Sequence, residues 1–203
     1  MSVLGVVICG ISVGMFKHAA LGVDPFQSLM SGLDAVIPLR FGTLYVIANA
    51  LLLCFALVMD RHKIGIATLI NLFLLGYIAE YSQAFFASLF PSLGLAGRLL
   101  LLLVAILVMC VASSLYFTAD LGVSTYDAVS LIWSEKQKKI PFRFCRIICD
   151  LVCVVSGSCL CLAGKVPVIG VIGIGTIITA FFMGPLIDLF NRHLAQPLLY
   201  GRR

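Results

Sequence analysis

Two ionisable residues stand inside an otherwise apolar stretch of the chain, four residues apart. Arg146 and Asp150 lie in Phe144–Ala163, and a helix there would place both on one face. Asp150 lies six residues after the start of this stretch and would thus lie about 9 Å into that helix. Ionisable side chains at such a depth in lipid are costly and often serve ion or proton transfer. The pair therefore predicts an ionisable centre, with a structural clamp between helices as the alternative.

Two further polar clusters have the pattern of helix starts. Asp24 is a preferred N-cap, Pro25 suits the first helical position, and Gln27 falls at the capping-box position. Ser124 and Asp127 repeat this pattern in the second half of the chain. We expect these side chains to be caps. If the helices begin inside a membrane, their N–H groups and positive dipoles would also suit a carboxylate or similar anion.

Other kinds of chemistry are not indicated. The sequence shows no nucleophile–base set, no metal-ligand cluster and no phosphate loop, so it predicts no enzyme activity, no cofactor and no metal site. The eight cysteines lie within or at the ends of apolar runs, which indicates that they pack as small apolar side chains. The formal charge of +5 is distributed over loops and does not indicate nucleic-acid binding.

The composition requires a membrane to hold these residues. The chain is 62% hydrophobic and 11% charged, with a mean hydropathy of +1.13. A soluble domain carries about 25% charged residues, roughly twice as many. A bilayer-spanning helix needs about 20 apolar residues, and six stretches qualify. They are Ser2–Ala20, Phe41–Met59, Ile64–Tyr81, Leu99–Ala119, Phe144–Ala163 and Val168–Phe190.

The chain contains an internal duplication of about 100 residues. Three stretches of the first half match three stretches of the second half. One match aligns Ile-Gly-Ile-Ala-Thr with Ile-Gly-Ile-Gly-Thr, and the other two align Phe26 with Tyr126 and Asn49 with Asp150. Asn49 would then lie near the membrane midplane with Asp150, in a binding role or as a polar clamp. The matched stretches are Ala19–Leu29 with Ala119–Val129, Phe41–Ala50 with Phe142–Leu151, and Ile64–Tyr81 with Ile172–Leu189.

The distribution of basic residues predicts the orientation. Ten of the 14 Lys and Arg residues fall in loops that are cytoplasmic if the N-terminus is inside. Each repeat has three spans, so the second copy would be inserted upside down, as in many secondary transporters. We expect a single membrane domain, 1–203, with repeat 1 at 1–90, repeat 2 at 98–191, and a short cytoplasmic tail at 192–203.

The stretches Asp24–Ile37 and Ser124–Glu135 are too short to cross a bilayer. Each follows a Leu-Gly-Val sequence, and two placements are open: a helix flat at the interface, or a broken helix that re-enters the bilayer. The segment Ser82–Gly97, which joins the repeats, predicts a short interfacial helix and a turn. Residues expected to form the breaks or to allow close helix packing are Gly22, Pro25, Gly122, Gly173, Gly175, Thr176 and Thr68.

These motifs resemble the YczE/YyaS/YitT group of small bacterial integral membrane proteins. The likeness rests on Leu-Gly-Val-x-Pro-aromatic after the first span, on a fifth span that Arg143 precedes and that contains Asp150, and on Ile-Gly-Ile-Gly-Thr followed by Gly-Pro-Leu-Ile. The second copy has Thr125 in place of a proline, and Asp150 stands where the group commonly has Glu. The resemblance implies a bacterial inner-membrane protein and says little about activity.

Together, these patterns predict an all-α, polytopic membrane protein with six transmembrane helices in two inverted repeats, each with a broken or re-entrant half-helix. The expected function is a small secondary transporter or exporter, for which an anionic solute is one option. A non-transporting assembly or regulatory subunit and a channel are the alternatives. The expected partners are the lipid bilayer, a small solute and a second copy of the chain, and both termini are expected in the cytoplasm.

Overall fold

The structure, a computed structural model, describes residues 2–60, 64–118, 124–137 and 142–200, which form helices joined by short connections and contain no strand. A π-helical turn at Asn191–Ala195 joins the last two helices. The helices are α1 Ser2–Ala19, α2 Pro25–Val36, α3 Phe41–Met59, α4 Ile66–Leu89, α5 Leu95–Thr118, α6 Thr125–Gln137, α7 Phe142–Ala163, α8 Val168–Val171, α9 Ile174–Phe190 and α10 Gln196–Tyr200.

The described helices have the surface of a membrane protein. Five segments are long and apolar enough to cross a bilayer, namely α3, α4, the Leu95–Tyr116 part of α5, the Phe144–Ala163 part of α7, and Val168–Leu198. The apolar helix α1, with 18 residues, is shorter. Val58 is 82% exposed and Ile169 84% exposed, whereas Ser12, Ser130 and Thr68 are fully buried. Because apolar side chains face outward and polar ones inward, the chain is a multi-pass membrane protein.

The segment Ser82–Gly97, between the two halves of the chain, differs from its prediction. The expected interfacial helix in Ser82–Gly97 does not form, because α4 continues to Leu89 and α5 already begins at Leu95. Ser82 has a partner inside the bundle: its hydroxyl donates to the Ile11 carbonyl of α1 at 2.9 Å. A polar residue that is satisfied by a neighbouring helix does not end its own helix.

The last predicted span is also interrupted. Within Val168–Phe190 the short helix α8 ends at Val171 and α9 begins at Ile174. Of the two intervening residues, Gly173 lies against Leu21 and Gly22 in the turn that joins α1 to α2.

Helix packing crosses the boundary between the two halves of the sequence. The first helix packs on both α4 and α5, and α5 also packs on α9. The short helix α2 packs mainly on α7, while the short helix α6 packs on α3 and α7. Each short helix therefore contacts a long helix from the other half of the chain, and the main hydrophobic core is shared by both halves.

Candidate functional site

A cavity of about 100 Å³ lies inside the bundle, between α1–α7 and α9. Its wall combines charged and amide groups with aromatic rings and sulfur atoms. Its lining residues are Gly5, Val6, Cys9, Val13, Asp24, Phe26, Gln27, Tyr45, Asn49, Asn71, Leu75, Met109, Ser113, Tyr116, Ser124, Tyr126, Asp127, Arg146 and Met183.

The start of α2 brings Asp24 and Gln27 to this cavity. The chain leaves α1 through Ala20 at φ +49° and Gly22 at φ +107°, which turns it back into the bundle. Asp24 accepts the Gln27 backbone N–H at 3.3 Å, and Pro25 is the first helical residue. The side chain of Gln27 does not complete a capping box, because its Oε1 has no hydrogen-bond partner among the described residues. Instead Gln27, 4% exposed, lines the cavity.

Two backbone hydrogen bonds fasten this turn to the interruption between α8 and α9. The Val23 N–H donates to the Val171 carbonyl, and the Gly175 N–H donates to the Leu21 carbonyl, each at 2.9 Å. The interruption frees the backbone groups that the turn then satisfies. The two irregular segments therefore stabilise each other inside the bundle.

Glycine is needed on both sides of this contact. A Cβ added to Gly173 would lie 2.4 Å from the Leu21 carbonyl oxygen, and one on Gly175 would lie 2.5 Å from the Gly22 carbonyl oxygen. Thr176, buried in the same contact, accepts the Gly173 N–H and donates to the Val171 carbonyl, both at 3.3 Å. Gly22, Gly173, Gly175 and Thr176 thus form one packing cluster next to the cavity.

The other half of the chain repeats part of this arrangement. In α4, Thr68 accepts the Gly65 N–H at 3.2 Å, as Thr176 does for Gly173. Gly122, which was expected to make the second break, lies outside the described residues, as does all of 119–123. The side chain of Arg143 is also outside them.

The start of α6 places Ser124 and Asp127 in the cavity wall. The Asp127 N–H donates to the Ser124 hydroxyl at 3.1 Å, and this hydroxyl donates to the Asp127 carboxylate at 2.6 Å. Thr125, the next residue, donates its hydroxyl to the Asn49 side-chain oxygen. Asn49 in turn donates to the Tyr45 carbonyl at 2.8 Å. The hydrogen-bonding capacity of Asn49 is thus used to join α6 to α3.

An ion-pair network lies on the α7 side. The Arg146 guanidinium pairs with the Asp127 carboxylate and, through Nε at 3.2 Å, with Asp150. The Tyr126 hydroxyl donates to Asp150 at 2.6 Å, and the guanidinium carbon of Arg146 lies 4.5 Å from the centre of the Tyr126 ring. Asp150 does not line the cavity. It lies behind Tyr126 and Arg146 and fixes the position of both.

The structure thus brings six of the predicted polar residues to one cavity, and the remaining predicted residues that it describes do not line the cavity. Asp24, Gln27, Asn49, Ser124, Asp127 and Arg146 line the cavity, whereas Asp150, Gly22, Gly173, Gly175, Thr68 and Thr176 do not. The sequence analysis did not single out Tyr45 or Cys9. Tyr45 precedes Asn49 by one helical turn, as Arg146 precedes Asp150, and this shared spacing is a signal that could have identified it.

The described residues show no cluster of metal-ligating side chains. Among them, no group of three or more His, Cys, Asp or Glu residues has the geometry to hold a metal ion. The cavity wall supplies acceptors, one guanidinium and aromatic rings. Such a set can bind and orient a small polar solute.

Comparison with known proteins gives a family without an assigned activity. Residues 1–192 match the model of a family of unknown function, DUF6198. The chain is 23% identical to the uncharacterized protein YyaS of Bacillus subtilis (strain 168) over 187 residues, which cover 92% of this chain and 89% of that protein. This relative agrees with the resemblance drawn from the sequence motifs. No solved structure matches the chain. The chain belongs to the DUF6198 family.

Proposed function

We propose that this protein is a small secondary transporter whose two inverted repeats move a solute through the central cavity. The observation that carries the proposal is that the N-termini of two short helices, α2 and α6, meet at one polar cavity inside an apolar bundle. In many carriers of inverted-repeat design, broken helices bind the solute near the membrane midplane in this way.

Contacts between equivalent residues support the inverted repeat. Cys9 and Met109, which are 100 residues apart, have their sulfur atoms at 3.1 Å. Phe26 and Tyr126, also 100 apart, stack with ring centres 5.0 Å apart. Equivalent residues touch each other only near a two-fold axis. We therefore place a pseudo-two-fold axis through these two contacts.

The direction of the helices agrees with this axis. The Ser12 hydroxyl donates to the Ala105 carbonyl at 2.7 Å, whereas Gly5, one end of α1, packs against Ala112. Residue numbers thus rise along α1 as they fall along α5, so these equivalent helices are antiparallel. Opposite directions for equivalent helices are what an inverted second repeat requires.

The short helices run from the cavity toward opposite ends of the bundle. In α2, Gly32 packs on Gly157 and Ala35 on Gly164, so α2 runs parallel to α7. The matching helix α6 runs parallel to α3, from the Thr125–Asn49 contact to a Lys136–Met59 contact. Since α3 and α7 are themselves equivalent and oppositely directed in this scheme, we infer that α2 re-enters from outside and α6 from the cytoplasm.

The arrangement suggests how transport would proceed. Arg146 bridges two carboxylates, so a solute or proton that neutralises one of them would shift the guanidinium toward the other. Such a shift moves Tyr126, whose ring lies under the guanidinium and stacks on Phe26 of the other repeat. This would couple the occupancy of the cavity to the packing of the two repeats. Coupling by protonation of Asp150 is the simplest form of this scheme.

A second function has an observation in its favour. The Tyr126–Asp150 and Thr125–Asn49 hydrogen bonds satisfy buried polar groups within the bundle, as they would in a non-transporting assembly or regulatory subunit. In that case the cavity would stay dry. A channel is the third option and would wet the cavity from both sides at once.

Accessibility of the cavity distinguishes the three functions. In a cysteine-free background reconstituted in vesicles, Gln27→Cys would be probed with a membrane-impermeant thiol reagent applied from each side. Ser130→Cys is the matched control, because Ser130 is fully buried on α6 and lies outside the cavity wall. We expect Gln27→Cys to react from one side at a time, depending on conditions, and Ser130→Cys to stay unreactive.

Two results would contradict transport by alternating access. Protection of both positions in the folded protein would indicate a dry bundle and favour the subunit. Simultaneous reaction of Gln27→Cys from both sides would indicate a continuous pore. Flux assays on Asp150→Asn test the coupling separately, since unchanged pH dependence would remove Asp150 from that role.

A further inference from the structure

The charges at the cavity do not cancel. Asp24 and Asp127 line it, Asp150 lies directly behind it, and Arg146 is the cationic side chain among its lining residues. A helix N-terminus contributes roughly half a positive charge, so α2 and α6 together offset about one carboxylate. About one negative charge of the three therefore remains uncompensated. Arg146 pairs with Asp127 and Asp150, so Asp24 faces the α2 N-terminus but not an ion-pair partner.

The cavity also contains an acceptor with no donor. Gln27 is only 4% exposed, and its Oε1 atom is buried without a hydrogen-bond partner among the described residues. A buried acceptor without a donor is destabilising. Asp24, three residues earlier, lines the same cavity. A group that carries both a positive charge and an N–H would satisfy these two residues together.

The remainder of the wall suits the apolar part of such a solute. The rings of Phe26, Tyr45 and Tyr126 form a contiguous group: Phe26 stacks on Tyr126 and meets Tyr45 edge-to-face at 5.8 Å. Aromatic faces attract cations through their quadrupole. At about 100 Å³ the cavity is well below the roughly 300–1,000 Å³ of drug-sized sites. It has room for a solute of a few heavy atoms.

We propose that the cavity binds a small primary ammonium ion, with its N–H groups on Asp24 and Gln27 and its carbon chain against the aromatic wall. This inference rests on the proposed transport function and replaces an anionic solute with a cationic one. One N–H group at each helix start, that of Gln27 and that of Asp127, already has a side-chain acceptor in Asp24 or Ser124. An anion would therefore compete with these caps as well as with the carboxylates.

Binding is tested by thermal unfolding of the full-length protein in detergent at constant ionic strength. The probes are ethylammonium, tetramethylammonium and propionate. Comparing the two ammonium ions tests the role of the N–H donors, and comparing them with propionate tests the sign of the charge. A ligand that binds the folded state raises Tm in proportion to the logarithm of its concentration. We expect ethylammonium to raise Tm most, tetramethylammonium less, and propionate not at all.

Two variants identify the site. Gln27→Met removes the acceptor at similar volume, so it should raise the Tm of the free protein and weaken ethylammonium binding about 10- to 100-fold. Ser130→Ala also removes a buried hydroxyl whose oxygen lacks a partner in the described structure, but outside the cavity. It should leave ethylammonium binding unchanged. Asp24→Asn keeps an N-cap and should weaken ethylammonium binding about tenfold or more.

Several outcomes would overturn the assignment. Propionate could raise Tm more than ethylammonium does, or neither ammonium ion could raise it. The two ammonium ions could also raise Tm equally, or the Gln27→Met variant could bind ethylammonium as tightly as the parent protein. Flux of the same probes into proteoliposomes tests transport independently. Ethylammonium binding without ethylammonium flux would refute the transport function and leave the cation site standing. Propionate flux would refute the cation site and leave the transport function standing.

Discussion

The contact between the α1–α2 turn and the α8–α9 interruption gives a prediction whose size follows from the structure. Gly22 has φ +107°, a conformation that L side chains rarely adopt. A Cβ at this position would also lie 2.6 Å from the Gly173 nitrogen and 2.9 Å from the Thr176 nitrogen, both backbone atoms. Neither atom can move without loosening the contact that holds the two segments together.

Gly22→Ala therefore carries two costs. The strained backbone contributes on the order of 1–3 kcal/mol, and the overpacking about 1–3 kcal/mol. Small local movements would relieve part of the overlap, so we expect a total loss of about 3 kcal/mol. This is roughly a 100-fold change in the unfolding equilibrium constant. We expect the free energy of unfolding, measured by denaturant titration in mixed micelles, to fall by that amount.

Gly170→Ala is the matched control for this experiment. Gly170 lies in α8, and a Cβ there would meet the Ala20 Cβ at 3.9 Å, an ordinary contact with the same turn. Replacing a helical glycine by alanine stabilises by about 0.5–1 kcal/mol. We expect this variant to be as stable as the parent or more so. Equal stability of the Gly22→Ala and Gly170→Ala variants would refute the close approach of the two segments.

Three further predictions concern hydrogen bonds. Tyr126→Phe should lower the free energy of unfolding by about 1–3 kcal/mol, because it leaves the buried Asp150 carboxyl group without the hydroxyl that donates to it; no loss in a chemical denaturation curve would count against this hydrogen bond. Thr68→Val and Thr176→Val should each cost about 1–3 kcal/mol by leaving a glycine N–H without its acceptor; unequal losses in the same assay would argue against equivalent roles. Arg98→Met should expose the end of α1 to faster hydrogen exchange, because Arg98 donates to the carbonyls of Ala19, the last α1 residue, and of Ala20, each at 2.6 Å; unchanged protection there would contradict this role.

Local chemistry accounts for what could be predicted from the sequence. The N-cap character of Asp24 and Ser124 and the first-position preference of Pro25 place the starts of α2 and α6, because a cap acts on residues three positions away. The burial of Asn49 and Asp150 follows from their position in apolar stretches. These features need no knowledge of the rest of the fold.

Partners from distant parts of the chain account for what could not be predicted. Ser82 looked like the end of a helix, yet its hydroxyl is satisfied by Ile11 on α1. Gln27 looked like half of a capping box, yet its side chain lines a cavity formed by eight helices. Asp150 was expected at the centre of the site but lies behind Tyr126. Which helix each polar group meets depends on packing between the two halves, and helix periodicity does not encode it.

The packing of α2 on α7 has a consequence for biogenesis. Ser28 lies against Gly157, so α2 finds its partner only after 129 more residues have been made. At translation rates of about 5–20 residues per second, this takes roughly 6–26 s. During that time α2 can pack on α3, which follows it directly, but lacks its main packing partner. We therefore expect α2 to reach its final packed position only after α7 has been inserted.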